Sequence, residues 1–111
     1  MDLRQTGFVF AAASAVATLA IHPATAASSE GQKLVAVHCE QCHEIKGISD
    51  FGNVGPSLLD VKSRYPDRKD VVAIVNDETK RNPQTVMPPF GRNLILTKQE
   101  IDTIVDYLYN Q

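Results

Sequence analysis

Cys39-Glu40-Gln41-Cys42-His43 decides how the rest of this 111-residue chain is read. On one helical turn, residues three and four apart share a face, so Cys39, Cys42 and His43 can all point at one flat ligand. Two thiols at this spacing can form thioethers with the two vinyl groups of a porphyrin, and the adjacent imidazole can then reach the iron. The C-x-x-C-H pattern is the attachment signature of c-type haem. Three other readings compete with it. A redox dithiol of the C-x-x-C kind belongs in a βαβ pattern, and none is found here. A closed zinc site needs four ligands. No Cys or His follows residue 43, which leaves only His38 and His43 crowded beside the two thiols. A disulfide between Cys39 and Cys42 would close a tiny loop and staple little. One covalently bound haem c is the reading that uses all three side chains.

Upstream, Arg4 precedes an apolar run from Phe8 to Ile21, interrupted by Ser14 and Thr18. The run is short of the ~20 apolar residues of a transmembrane helix, and Ala24-Thr25-Ala26 places small residues where a signal peptidase reads them. Residues 1–26 are therefore expected to be a secretory signal peptide cleaved after Ala26. An uncleaved anchor is the alternative, because Asp2 weakens the basic end. Covalent haem attachment needs reduced thiols on the export side of a membrane, so the expected location is the periplasm, without stable membrane insertion. Residues 27–111 then form a single small domain. A chain of that size buries only about 60–65% of its unfolded surface, and a large apolar cofactor would supply missing core. The net charge of −2 is unchanged by removing the signal, since Asp2 and Arg4 cancel. No basic excess points to nucleic acid or to an anionic membrane.

Along the mature chain, Ser28 or Ser29 can cap a first helix that runs into the C-x-x-C-H turn. Gly31 and Val35 lie on one stripe with Cys39, and a glycine on a buried stripe suits close approach of another helix. His38 is expected at the surface. Residues 44–56 are rich in turn formers and read as a loop. Gly55-Pro56-Ser57-Leu58 leads into a short helix carrying Leu58, Leu59 and Val61, broken by Tyr65-Pro66-Asp67. Asp67 caps an amphipathic helix whose Val71, Val72, Ile74 and Val75 share a face. Asn82-Pro83 ends that region. Thr97-Lys98-Gln99-Glu100 is a capping box, and Ile101, Ile104, Val105 and Leu108 follow at helical spacing. This last helix is the natural partner of the Gly31/Val35 stripe.

Met87 is the only methionine outside the signal. It sits in Thr85-Val86-Met87-Pro88-Pro89-Phe90-Gly91, an extended loop rather than an apolar helical stripe, and two prolines lower the entropy lost in positioning its thioether. With His43 on one side of the iron, Met87 is the expected ligand on the other.

Gly31, Val35, the C-x-x-C-H motif, Gly55-Pro56-Ser57-Leu58, Met87, Ile104 and Tyr107 occur in an order that resembles the class I cytochrome c family over the whole mature length. The resemblance implies an all-α fold wrapped around one haem, with Pro56 and Leu58 joining Cys39, Cys42, His43 and Met87 at the cofactor. It also implies that the Pro56 carbonyl accepts the ring N–H of the proximal histidine. More narrowly, Asn82 to Gly91, Ile95-Leu96-Thr97 and Val105-Asp106-Tyr107-Leu108-Tyr109 resemble SoxX, the monohaem branch found in the SoxAX complexes of sulfur oxidation. That implies a heterodimer with a SoxA-like cytochrome, which couples thiosulfate oxidatively to a cysteine of a carrier protein and passes electrons to a downstream acceptor.

Three functions are in play. An electron-transfer subunit of such a complex fits a chain whose two cysteines are both used as thioethers and which is not catalytic alone. Its docking surface is expected at Val86 to Gly91, through exposed Pro and Phe groups. A free-standing electron shuttle is the second reading. A haem enzyme such as a peroxidase is the third, and it needs an open iron and a distal acid/base that the chain does not offer.

Overall fold

The computed structural model describes residues 24–50 and 52–111, together with Ala17, and gives backbone only for residues 24–27. The expected signal peptide lies outside the described residues apart from Ala17 and the backbone of residues 24–26. Among the described residues four helices form: α1 (Ala24–His38), α2 (Val61–Arg64), α3 (Arg68–Asp77) and α4 (Lys98–Tyr109), with a 3-10 turn at Glu78–Lys80 after α3. Among the described residues there is no strand, only a local bridge between Ile45 and Ser49.

The other helices meet on α4. Its start is fixed by the capping box: the Thr97 hydroxyl accepts the Glu100 N–H at 3.2 Å, and the Glu100 carboxylate accepts the Thr97 N–H at 2.7 Å. Ile101, Ile104, Val105 and Leu108 then fall on one face and are all buried. Aliphatic side chains of this size are worth about 1.5–3 kcal/mol each when fully buried, so this stripe is a large share of the core. It packs with Val35 from α1, Val61 from α2, Val71 and Val75 from α3, and Ile45, Phe90 and Leu96 from the loops.

α1 crosses α4 where it carries no side chain. A Cβ built on Gly31 would lie 2.6 Å from the Tyr107 Cβ and 3.0 Å from the Thr103 carbonyl oxygen. Only glycine lets the two backbones come this close. α3 is held to the same helix from outside: Arg68 donates from Nε to Asp106 at 2.9 Å and from an η nitrogen to Asp102 at 3.2 Å. The Asp67 side chain caps α3 by accepting from the Lys69 N–H at 2.9 Å.

Two boundaries differ from the sequence expectation. α1 starts at Ala24 rather than at Ser28 or Ser29, because Ala24-Thr25-Ala26-Ala27 is alanine-rich and alanine is the strongest helix former. Cleavage after Ala26 would therefore remove the helix's first three residues. α2 is a single turn that begins at Val61. Leu58 and Leu59 stay outside it, since Ser57 Oγ accepts the Leu59 N–H at 3.3 Å in a local turn that competes with helix.

Candidate functional site

The C-x-x-C-H turn continues α1. The Cys39 N–H donates to the Val35 carbonyl at 2.9 Å, and the Cys39 carbonyl accepts the N–H groups of Cys42 at 3.1 Å and His43 at 3.0 Å. One turn thus presents two sulfurs and an imidazole to the same side. The next loop wraps over His43: the Gly55 N–H donates to the Cys42 carbonyl at 2.8 Å and the Leu58 N–H to the Glu44 carbonyl at 2.9 Å. A Cβ at Gly55 would lie 2.7 Å from Nδ1 of His43, so the glycine is what allows the loop to lie against the ring.

His43 Nδ1 sits 2.7 Å from the Pro56 carbonyl oxygen. A carbonyl only accepts, so Nδ1 carries the proton, and of the two neutral tautomers this bond selects the one whose Nε2 keeps its lone pair. The bond also fixes the ring's rotation, as carbonyl partners do for metal-bound histidines.

Cys39, Cys42, His43, Pro56, Leu58 and Met87 all line one cavity of about 490 Å³, within the roughly 300–1,000 Å³ of small-molecule and cofactor pockets. Its walls are mainly apolar, with Val61, Val71, Ile74, Val75, Ile104 and Leu108 supplied by α2, α3 and α4. Its polar rim includes Arg64, Arg81, Asn82 and Gln84. The guanidiniums of Arg64 and Arg81 lie 5.9 and 5.5 Å from the centre of the Tyr65 ring, within cation–π range. The donor set fits a haem: two thiols and a lone-pair imidazole on one turn, a thioether in the same cavity, apolar walls for the macrocycle, and cations at the edge for its carboxylates.

Cys39 argues against a redox dithiol. Burial, and secondarily the nearby Cys42 sulfur, pushes its thiol up to about 11, whereas reactive dithiols have depressed values. No group of three or more His, Cys, Asp or Glu among the described residues could hold a metal ion by itself.

Met87 is placed by a loop with little regular structure of its own. The Met87 N–H donates to Thr85 Oγ1 at 3.1 Å. The loop's far end is latched to the end of α3, where the Asn76 carbonyl accepts the N–H groups of both Gly91 and Arg92 at 3.1 Å. Arg92 reaches Asp77 at 2.9 Å, and Asp77 is only 3% exposed. The Thr79 hydroxyl, and then the Arg92 guanidinium, hold the Asp77 carboxyl below its ordinary range. Leu94 closes the following turn in the left-handed region at φ 55°.

Several residues lie elsewhere than the sequence reading put them. His38 is half-buried, lines the cavity, and meets Phe90 edge to face at 5.7 Å between ring centres. Phe90 itself is buried, so it is a core residue and not part of an exposed rim. The two corrections share one cause: the loop after Met87 folds back over the last turn of α1 and covers both rings. Pro88 is exposed as expected, and Val86, Val54 and Pro56 are further exposed apolar groups at the cavity. The motifs and spacings read above do not mark Asp77 or Glu78 as part of the site. For Glu78 a signal existed, because it continues the Val71, Val75 stripe at helical spacing.

A family model described as cytochrome c matches residues 28–111, and no curated protein matches the chain. The chain belongs to the cytochrome c family. Membership brings one covalently bound haem c and a role in electron transfer.

Proposed function

We propose that this protein is an exported, periplasmic electron-transfer cytochrome acting as the SoxX-like subunit of a SoxAX-type complex. When bound, haem c supplies a one-electron carrier. Cys39 and Cys42 would hold it by adding S–H across its two vinyl groups, sulfur to one carbon and hydrogen to the other, so attachment consumes no oxidant. His43 Nε2 and the Met87 sulfur would hold its iron. The surrounding aliphatic residues exclude water from the site.

The observation that carries the reading is that His43 and Met87 line the same cavity, with both cysteines in its wall. With both of these donors on the iron no position would be left for a substrate, and with both cysteines used as thioethers no thiol would remain for bond-forming chemistry. In oxidative coupling of thiosulfate to a carrier cysteine, an S–S bond forms, the thiol proton leaves and two electrons are released. Those electrons must leave the reacting site one at a time through a relay. A closed His/Met site suits that work, since methionine ligation raises the reduction potential relative to histidine or thiolate.

Support for this particular complex comes from the Asn82–Gly91 stretch and the C-terminal tail, whose residues resemble SoxX. A small apolar rim at the cavity also supports docking. Val86 is 78% exposed and Val54 57% exposed, and exposed Pro88 lies beside Val86. Burying that rim against a partner would shorten the path between two haems and exclude water from it.

The test is reconstitution with a SoxA-like cytochrome and a carrier protein. The isolated chain, oxidised, is expected not to turn over thiosulfate with the carrier. Adding the partner should yield carrier-bound thiosulfonate, with this chain's haem reduced along the way. Turnover by the chain alone overturns the proposal. So does failure to bind any such partner at micromolar concentration, a threshold of about −8 kcal/mol; monomeric behaviour of that kind is what a free-standing electron shuttle would show.

A further inference from the structure

We propose that Glu78 is a potential-setting residue, a buried carboxylate that holds the reduction potential of the haem down. The proposal rests on haem occupying the cavity described above.

Glu78 opens the 3-10 turn after α3 and is 7% exposed. Its Oε1 is taken by Arg81, which donates from Nε at 3.2 Å and from an η nitrogen at 2.9 Å. Its Oε2 is buried and is the only buried side-chain oxygen or nitrogen among the described residues without a hydrogen-bond partner. Glu78 lines the cofactor cavity on one side and an outer pocket of about 360 Å³ on the other. It therefore stands in the wall between cofactor and surface.

Leaving a buried carboxylate oxygen unmatched is costly, so the position calls for a reason beyond local structure. The two partners of the pair also sit in different media. The Arg81 side chain is 57% exposed, and that of Glu78 is 9% exposed. Both line the cavity, but solvent screens the guanidinium strongly and the carboxylate weakly. Seen from the cavity, the pair acts as a net negative charge. A negative charge at low dielectric favours the more positive, oxidised iron, and burial and dielectric are among the levers by which a protein sets haem potential.

The experiment compares Glu78→Gln with Asp70→Asn in the holoprotein by redox titration, with the visible spectrum recorded beside it. Asp70 loses the same charge from an exposed position that lines the outer pocket but not the cofactor cavity. Glu78→Gln is expected to raise the potential by a tenfold or greater change in the electron equilibrium (59 mV for one electron), with the methionine–iron band retained. Asp70→Asn is expected to shift it far less.

An unchanged or lowered potential in Glu78→Gln overturns the proposal, as does an equal rise in both variants. Absence of the methionine band from the parent protein would instead count against Met87 ligation, and the sign of the Glu78→Gln shift would still be read. Should Glu78→Gln fail to fold, the paired change Glu78→Leu with Arg81→Leu removes both charges, a kind of replacement that buried ion pairs often tolerate. It too should raise the potential, and no rise there overturns the assignment.

Discussion

The two sides of the cofactor cavity are built in opposite ways. On the histidine side, every anchoring residue lies on or beside one continuous element: α1 runs into the C-x-x-C-H turn, and Pro56 fixes the imidazole only 13 residues further on. Behind it, α1 crosses α4 at Gly31 with no side chain to spare. On the methionine side, residues 82–96 bond among themselves only in short-range turns, such as the Thr85 N–H to the Asn82 carbonyl and the Leu96 N–H to the Phe90 carbonyl, and are tied to the helices by distant anchors. These are the Asn76 carbonyl, the Asp77 carboxylate and the ring packing of Phe90 on His38. A wall built on one continuous element thus faces a latched loop, and loss of latch contacts should be felt at Met87 before it is felt in the helices.

The largest expected effect breaks the wall itself. Cys39→Ser combined with Cys42→Ser removes both thioethers. Haem that resists acid–acetone extraction in the parent should be extractable from the variant, and the denatured parent should have the mass of the mature chain plus one haem. Haem extractable from the parent protein would refute covalent attachment. Next comes the loop. Met87→Ala should open the sixth position, abolish the methionine–iron charge-transfer band and lower the potential while leaving haem attached. An unchanged band and potential would mean that another side chain ligates the iron.

The third effect sharpens the contrast by testing the helix crossing. Gly31→Val puts a branched side chain where even a Cβ would be 2.6 Å from Tyr107, and overpacking of this kind costs about 1–3 kcal/mol. Denaturant unfolding should show that loss. A gain in stability, as expected for an exposed helical glycine replaced by a stronger helix former, would refute the close approach.

The same asymmetry governs what the sequence discloses. The histidine side is legible because its signals are local: C-x-x-C-H, Gly31 on the Cys39 stripe, the Thr97–Glu100 capping box, and Asp67 before an apolar helix. Each is a spacing of a few residues with one physical meaning. The methionine side is only partly legible. Met87 stands out by elimination and by its prolines, but its supports do not. Asp77 looks like a solvated acidic helix end, and its pairing with Arg92 comes from the fold-back of the loop, whereas Glu78 is marked only by its helical spacing from Val71 and Val75. Phe90 and His38 look like exposed loop and surface residues because their contact joins positions 52 apart, which no periodicity reports. The early start of α1 has a different cause, since an alanine-rich run carries no stop signal to mark its limit.

The smallest expected effect is an acid dependence that separates the two sides. Both have a carboxylate held below its ordinary range: Asp77 in the loop latch, by the Thr79 hydroxyl and then Arg92, and Glu100 in the α4 cap, by the Thr97 backbone N–H and then its hydroxyl. In the unfolded chain these groups titrate near ~4. A folded value below the unfolded one means that the stabilisation is fully present above about pH 4–5 and is lost as pH falls through the folded values. Acidification should therefore weaken both the methionine–iron band and the far-UV helical signal, through different residues. Asp77→Asn removes the titrating group from the latch while keeping an oxygen that can cap Thr79. It should flatten the acid dependence of the band and leave that of the helical signal unchanged. Glu100→Gln should do the reverse, because a capping box accepts glutamine at that position. If either variant flattened both signals together, the two sides would be one cooperative unit, and the contrast between a continuous wall and a latched loop would fail.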